Sequence, residues 1–238
     1  MDKPNYRRVL LKCSGEALAG KDGRGLDFAF IRQVCQAVKD CTAMGVQVGI
    51  VVGGGNFWRG AKDGGDRMQR SRADHMGMLA TVINSLAVQD TLEQLGQSAK
   101  VLTAMQMGNM TEPYSYAAAD RYLNEGTVVI FGGGTGNPYF STDTAAVLRA
   151  VEIGADVILL AKNIDGVYSA DPHKDPTAVR YDRISYDQVL AGHLQVMDLP
   201  ATSLALENHV PTMIFALADP ENIVRAVRGE AIGTIVEE

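Results

Sequence analysis

The sequence predicts an α/β fold: a three-layer α/β/α sandwich around a mainly parallel central sheet. Two observations carry that expectation. Short runs of Val, Ile and Leu end in glycine clusters, and amphipathic helical patterns separate those runs. Continuous apolar runs suit strands buried on both faces, and strand–helix alternation suits parallel pairing. A chain of 238 residues, 46% hydrophobic and 21% charged, is long enough and apolar enough for one globular domain.

The elements follow in order. Arg8 to Lys12 reads as a strand and runs into Cys13-Ser14-Gly15. Val46 to Val52 is a second, followed by Gly53-Gly54-Gly55. Thr127 to Phe131 precedes a five-residue stretch from Gly132 to Gly136, and Asp156 to Ala161 precedes Lys162-Asn163-Ile164-Asp165-Gly166. Ile31, Val34, Cys35, Val38 and Cys41 keep helical spacing behind a start at Asp27. Met76, Leu79, Ala80, Ile83, Leu86 and Ala87 form a second stripe. A third helix follows a cap at Ser141 or Thr142. Ser185 with Gln188 is a capping box, and Asp219-Pro220-Glu221 is another helix start. Val210 to Phe215 and Thr234 to Val236 read as late strands. The aperiodic stretch from Asp165 to Arg183 reads as a β-rich flap over a site.

Charge and cysteine usage exclude several classes. The net charge is -6 and no long basic run occurs, which argues against nucleic acid as the main partner. Three cysteines without CxxC spacing argue against a disulfide framework or a zinc site, so a reducing cytoplasm is the expectation. No window reaches the length of a membrane span, and residues 1–5 lack the apolar core of a signal peptide.

Glycine loops at the carboxyl ends of parallel strands let backbone N–H groups approach an anion. Three such loops point to a polyanionic ligand, whereas one alone reads equally as a tight turn. Gly15 to Lys21 matches the front of a P-loop, but Asp22 stands where the magnesium hydroxyl belongs. The dinucleotide fingerprint also fails, at Trp58 and at Tyr139. Lys12 then stands out beside Ser14-Gly15, where a cation can stabilise charge in phosphoryl transfer. Asp74 and Asp143 lie near helix starts, where an aspartate is also an ordinary cap.

Leu11-Lys12-Cys13-Ser14-Gly15-Glu16-Ala17-Leu18 resembles the opening of the amino acid kinase superfamily, and Gly53-Gly54-Gly55-Asn56 with Arg59-Gly60 resembles its second glycine loop. The stretches Asp74 to Thr81, Gly134 to Asp143 and Asp165 to Pro172, with Val196-Met197-Asp198, resemble the bacterial uridylate kinase family. The likeness spans essentially the whole chain. It implies one domain over residues 1–238, with an acceptor lobe up to about residue 160 and an ATP lobe beyond it.

The resemblance also implies roles. Its reaction moves the γ-phosphoryl group of ATP to UMP in pyrimidine nucleotide biosynthesis, with Mg²⁺ accompanying ATP. Lys12, Arg59, Asp143 and Asp198 would be catalytic. Lys12, Cys13, Ser14, Gly15, Gly55, Arg59, Asn163, Tyr168 and Asp171 would bind ATP, with Lys162 competing for the place of Asn163. Gly54, Asp74 and the run Thr135, Gly136, Asn137, Pro138, Tyr139, Phe140, Ser141 and Thr142 would bind UMP. Gly20, Lys21, Asp22, Gly23, Arg24 and Gly25 would form a loop responding to GTP as activator, with UTP as inhibitor. A homohexamer is implied too. The rivals are a sister kinase acting on a carboxylate or carbamate, and a non-catalytic nucleotide-binding protein on the same scaffold.

Overall fold

The computed structural model of the chain describes residues 3–19, 23–170, 172, 174–194 and 196–238. The strands in chain order are β1 (Arg8–Cys13), β2 (Gln47–Val52), β3 (Ala99–Thr103), β4 (Glu112–Pro113), β5 (Val128–Gly132), β6 (Val157–Lys162), β7 (Val167–Tyr168), β8 (Arg180–Tyr181), β9 (Arg183–Ser185), β10 (Thr212–Ala216) and β11 (Thr234–Glu237). The helices are α1 (Gly15–Leu18), α2 (Phe28–Ala43), α3 (Arg70–Gln94), α4 (Tyr116–Asn124), α5 (Thr142–Ile153), α6 (Tyr186–Ala191), α7 (Leu199–Glu207) and α8 (Glu221–Val227).

Among the described residues nine strands form one sheet in the order β4-β3-β5-β2-β1-β6-β10-β11-β9, and β7 pairs with β8 apart from it. Every neighbouring pair in the large sheet is parallel except β10 with β11. The β7–β8 hairpin is the expected flap.

The alternation of side chains along each strand assigns the helices to faces. Val9, Leu11 and Cys13 of β1 belong to a core with α2, α8 and the far end of α3. Leu10 belongs to the opposite core, with α4, α5, α6 and α7. Arg8 and Lys12 share the Leu10 face by period two, which puts both under α5. Arg8, 5% exposed, donates to the carbonyl of Ile153 at the C-terminal end of α5 and meets Asp120 at 2.9 Å. A cation suits that negative helix end. Lys12 lies under the other end.

The caps read from sequence are in place. Asp27 accepts from the Phe30 N–H, Ser141 from Asp143 and Thr144, and Ser185 forms the full capping box with Gln188. Asp219 accepts from the Glu221 N–H ahead of α8. One helix turns the expected way round only in part. In α3 the side chains of Met76, Leu79 and Ile83 are exposed, while Thr81, Asn84 and Ser85 face inward and are buried. The inward polar groups hold loops: Thr81 Oγ1 accepts from the Gly133 N–H at 2.8 Å, and Asn84 Nδ2 donates to the Gly53 carbonyl at 2.6 Å. Among the described residues no helix is long and apolar enough to cross a membrane.

Candidate active site

The strand order fixes where a ligand can sit. From β1 the chain passes to β2 on one side and later to β6 on the other. The carboxyl end of β1 is therefore a topological switch point, where open α/β sheets bind ligands. Lys12, Ser14 and Gly15 occupy that end. Ser14 Oγ accepts from the Ala17 N–H and starts α1, a four-residue helix that the sequence pattern does not reveal.

Lys12 is only 7% exposed. Its Nζ lies 2.5 Å from Asp143 Oδ1, in the first turn of α5. Asp143 Oδ1 is buried and has no aligned hydrogen-bond partner among the described residues, so the pair is a charge contact. Asp198 caps α7 by accepting from the Ala201 N–H at 3.0 Å, and it also accepts from the Thr144 hydroxyl at 3.1 Å. Lys162 ends β6 and donates to the Val196 carbonyl. Burial pushes the Lys162 ammonium below the usual lysine range; Asp143 and Asp198 oppose that shift and Lys12 adds to it. Two lysines and two aspartates thus meet at the seam of the sheet. The Cys13 thiol faces the other core, and burial pushes it up to about 12 despite the nearby Lys12. It is an inert packing group.

Three cavities open around the seam. The first, about 480 Å³, is lined by Lys12, Ser14, Gly15, the Gly53–Gly55 loop, Arg59, Asp74, Tyr139 to Thr142 and Asp198. Here Asp74 receives Arg70 Nε on both oxygens, at 2.9 and 2.8 Å, and the Tyr139 N–H on Oδ2 at 2.9 Å. The Arg70 guanidinium stands 5.3 Å from the centre of the Tyr139 ring. Tyr139 has φ of 72°, in the left-handed region that ordinary side chains avoid. The clasp between α3 and the loop before α5 holds it there.

The second cavity, about 510 Å³, is lined by Lys162, Ile164, Tyr168, His193 and Leu194 among others. The Tyr168 hydroxyl donates to Asp165 at 2.9 Å. The third, about 680 Å³, has Gly23, Arg24, Gly25, Lys62 and Arg67 in its wall. Glu16 and Arg59 line both this cavity and the first, and their side chains form an ion pair between the two.

The expected residues are mostly brought together. Lys12, Arg59, Asp74, Asp143, Asp198 and the segment from Tyr139 to Thr142 converge on the first cavity or its floor. Thr135, Gly136, Asn137 and Pro138 lie on the same loop but are not in the wall of that cavity. Asn163 is exposed and outside the second cavity, where Lys162 stands instead. Asp171 and the segment 20–22 (Gly20, Lys21, Asp22) lie outside the described residues. Glu16, Arg70 and Asn84 escape the sequence reading. Each is a lone polar residue in a helical segment, with no local signal beyond an ordinary surface or core position.

The sequence matches the Amino acid kinase family over residues 7–216. The chain belongs to the amino acid kinase family. Solved structures agree. The UMP kinase from Bacillus anthracis is 35% identical, with 98% of this chain and 96% of that one covered at a TM-score of 0.94. The UMP kinase from Ureaplasma parvum is also 35% identical, covering 98% and 100% at 0.93. The uridylate kinase from Archaeoglobus fulgidus is 31% identical, covering 96% and 99% at 0.74. As a member of this family the chain is a phosphotransferase.

Proposed function

We propose that the chain is a UMP kinase that transfers the γ-phosphoryl group of ATP to UMP, giving ADP and UDP in pyrimidine nucleotide biosynthesis. The observation that carries this reading is the Lys12–Asp143 pair at the switch point, between a cavity built from residues 12–142 with Asp198 and one built from residues 162–214. Two nucleotides can therefore meet head to head across Lys12. The acceptor fills the first cavity and the adenine end of ATP the second, which divides the chain into an acceptor side and a donor side near residue 160. The UMP kinase structures at 35% identity support the choice of acceptor.

The chemistry needs little from a base. An oxygen of the UMP phosphate is already ionised near neutral pH. It attacks the γ-phosphorus, forms the new P–O bond, and the bond to the β-bridging oxygen breaks, leaving ADP. The obstacle is repulsion between two polyanions. Lys12 supplies charge at the transferring group. The N–H groups of Ser14 to Gly15 and of Gly54 to Gly55 hold phosphate oxygens, and Arg59 reaches the ATP phosphates on leaving Glu16. Positioning and charge neutralisation supply the rate.

Mg²⁺ fits the residues present. Asp143 Oδ1 already faces the Lys12 ammonium at 2.5 Å, which leaves its second oxygen and Asp198, joined to the same turn of α5 through Thr144, as the carboxylate oxygens for a cation. Two carboxylates completed by phosphates and water suit a small hard cation. When bound, the metal neutralises charge on the β- and γ-phosphates. The residues themselves hold Lys12 and the phosphate ends in line.

Two further roles belong to this reading. The cavity beside Gly23, Arg24 and Gly25, with Lys62 and Arg67, has the charge to take a triphosphate, which supports GTP activation through the shared Glu16–Arg59 pair; UTP inhibition rests on the family resemblance. The exposed stripe of Met76, Leu79 and Ile83 on α3 supports self-association, as expected for a homohexamer.

The test is ADP release from Mg-ATP with UMP, CMP, dUMP, AMP, acetylglutamate, aspartate and carbamate. Turnover confined largely to UMP is expected. Turnover on a carboxylate acceptor instead would keep the family and overturn the acceptor. The Asp74→Asn variant is expected to raise KM for UMP about ten-fold, a loss of about 1.4 kcal/mol in binding, and to leave KM for ATP within about two-fold. Equal effects on both substrates would remove Asp74 from the acceptor side.

A further inference from the structure

The second glycine loop is held from behind by two amides. Asn84, on the inner face of α3, is 0% exposed, and Asn56, which closes the loop, is 3% exposed. Asn84 Nδ2 donates to Asn56 Oδ1 at 2.8 Å and to the Gly53 carbonyl at 2.6 Å. Asn56 Nδ2 donates to Asn84 Oδ1 at 3.0 Å and to the Gly25 carbonyl at 2.7 Å. Each primary amide carries two N–H donors, so all four are used. The Gly25 N–H returns a bond to the Asn56 carbonyl at 3.3 Å, and the Gly53 N–H donates to the Cys13 carbonyl at 2.9 Å. A continuous polar path therefore runs from the Gly23–Gly25 turn through Asn56, Asn84 and Gly53 to the residue beside Lys12.

A buried polar pair of this kind adds little net stability over apolar packing of the same shape, but it fixes geometry closely because any misplacement leaves a buried donor or acceptor unpaired. The direction it imposes is specific. In a trans peptide the C=O and the following N–H point opposite ways. Asn84 draws the Gly53 carbonyl inward, so the Gly54 N–H is aimed away from α3, on the side of the cavity that Gly53, Gly54 and Gly55 line.

We propose that Asn56 and Asn84 are a positioning pair for phosphoryl transfer: they aim the Gly53–Gly55 backbone at phosphate and lock it to the Gly23–Gly25 turn, so that the two loops move as one. This rests on the reading of Gly54 and Gly55 as phosphate contacts. It gives the turn beside the 680 Å³ cavity a mechanical route to the reaction centre that needs no residue to span the distance.

Two variants test it. Asn84→Ala removes the hub of the pair. Asn56→Asp is isosteric and keeps an acceptor for Asn84, but it sets a charged carboxylate oxygen against the Gly25 carbonyl and Asn84 Oδ1 in place of two donated bonds, so it breaks the lock without leaving a packing cavity. Amide hydrogen exchange is followed on ligand-free protein in peptides covering residues 23–26 and 53–57. The expected result is faster exchange in both peptides together, by about ten-fold or more, in either variant. With ATP and UMP, kcat is expected to fall about ten-fold or more and KM for both substrates to rise, since the loop serves both sides. Loss of folded fraction alone would lower the apparent kcat and leave both KM values unchanged. Exchange that quickens in residues 53–57 but not in 23–26 would overturn the lock. Unchanged KM values and exchange in folded Asn56→Asp protein would overturn the positioning role. The exchange arm is read without substrate, so a wild-type protein that fails to phosphorylate UMP would sink the acceptor reading and still leave the lock decided.

Discussion

Replacing Lys12 by alanine is expected to lower kcat by about 10³-fold, close to 4 kcal/mol of transition-state stabilisation, the range that follows when one fixed charge or donor is removed from a developing oxyanion. The geometry makes the effect larger than the loss of one cation. Lys12 Nζ is 2.5 Å from Asp143 Oδ1, and both side chains are largely buried, at 9% and 17% exposure. With Lys12 gone, Asp143 keeps its charge next to the phosphates and repels them. The same orphaned carboxylate destabilises the fold, because breaking a buried pair costs about 3–5 kcal/mol. The two effects can be separated. A Lys12→Met, Asp143→Asn double variant removes both charges, so it regains much of the melting temperature while kcat stays low. Retention of more than about a tenth of kcat in Lys12→Ala would show that Lys12 acts only as a structural partner of α5.

The pairing of Lys12 with Asp143 also shows how far the sequence could be read. Each residue is visible alone: one at the end of an apolar run, the other one turn into a capped helix. Their meeting depends on Lys12 and Arg8 sharing one face of β1 and on α5 lying along that face, with Asp143 over Lys12 and Ile153 over Arg8. Strands such as β2 and β5 were legible because their apolar runs end in glycine. β3 was not read, because Lys100 interrupts the run and no glycine cluster follows it. The stripe of Met76, Leu79 and Ile83 was legible as helix, but its direction was not. An amphipathic pattern normally turns its apolar side inward. In α3 the glycine loops need hydrogen-bond partners more than the core needs methyl groups, so Thr81, Asn84 and Ser85 turn inward instead. Lys162 and Asn163 were a one-residue choice at the end of β6. Lys162, the last residue of β6, lines the second cavity, whereas Asn163 just beyond the strand is exposed and outside it.

Charge in the site is organised by pairing. Arg59 is held by Glu16, Arg70 by Asp74 and Lys12 by Asp143. Three cations poised without partners would repel one another in the absence of substrate. Each instead has a carboxylate that a phosphate or a nucleoside hydroxyl can relieve or share. Lys162, which donates to the Val196 carbonyl, is the cation whose ammonium burial disfavours. A nearby polyphosphate would favour its charged form.

Gly15→Ala is expected to cost about 10²-fold in kcat/KM for both substrates. Gly15 is the first residue of α1, and a Cβ there would lie 2.5 Å from Asn56 Oδ1 and 2.6 Å from the Gly53 carbonyl oxygen, where ordinary contact begins near 3.4 Å. Neither neighbour is free to yield. The Gly53 carbonyl is held by Asn84 at 2.6 Å, and Asn56 is held by Asn84 and by Gly25. The first glycine loop must therefore back away from the second by nearly the whole overlap, about 1 Å. A displacement of that size between groups that must act together costs about 10²-fold. Alanine is the better helix former by up to about 1 kcal/mol, which offsets part of the strain in the folding equilibrium but none of it in the site. The result to look for is a melting temperature lowered by only a few degrees alongside a much larger fall in kcat/KM, measured separately for ATP and for UMP. A fall confined to one substrate would mean that the two loops serve different nucleotides, and activity within about three-fold of wild type would mean that their close approach has no part in catalysis.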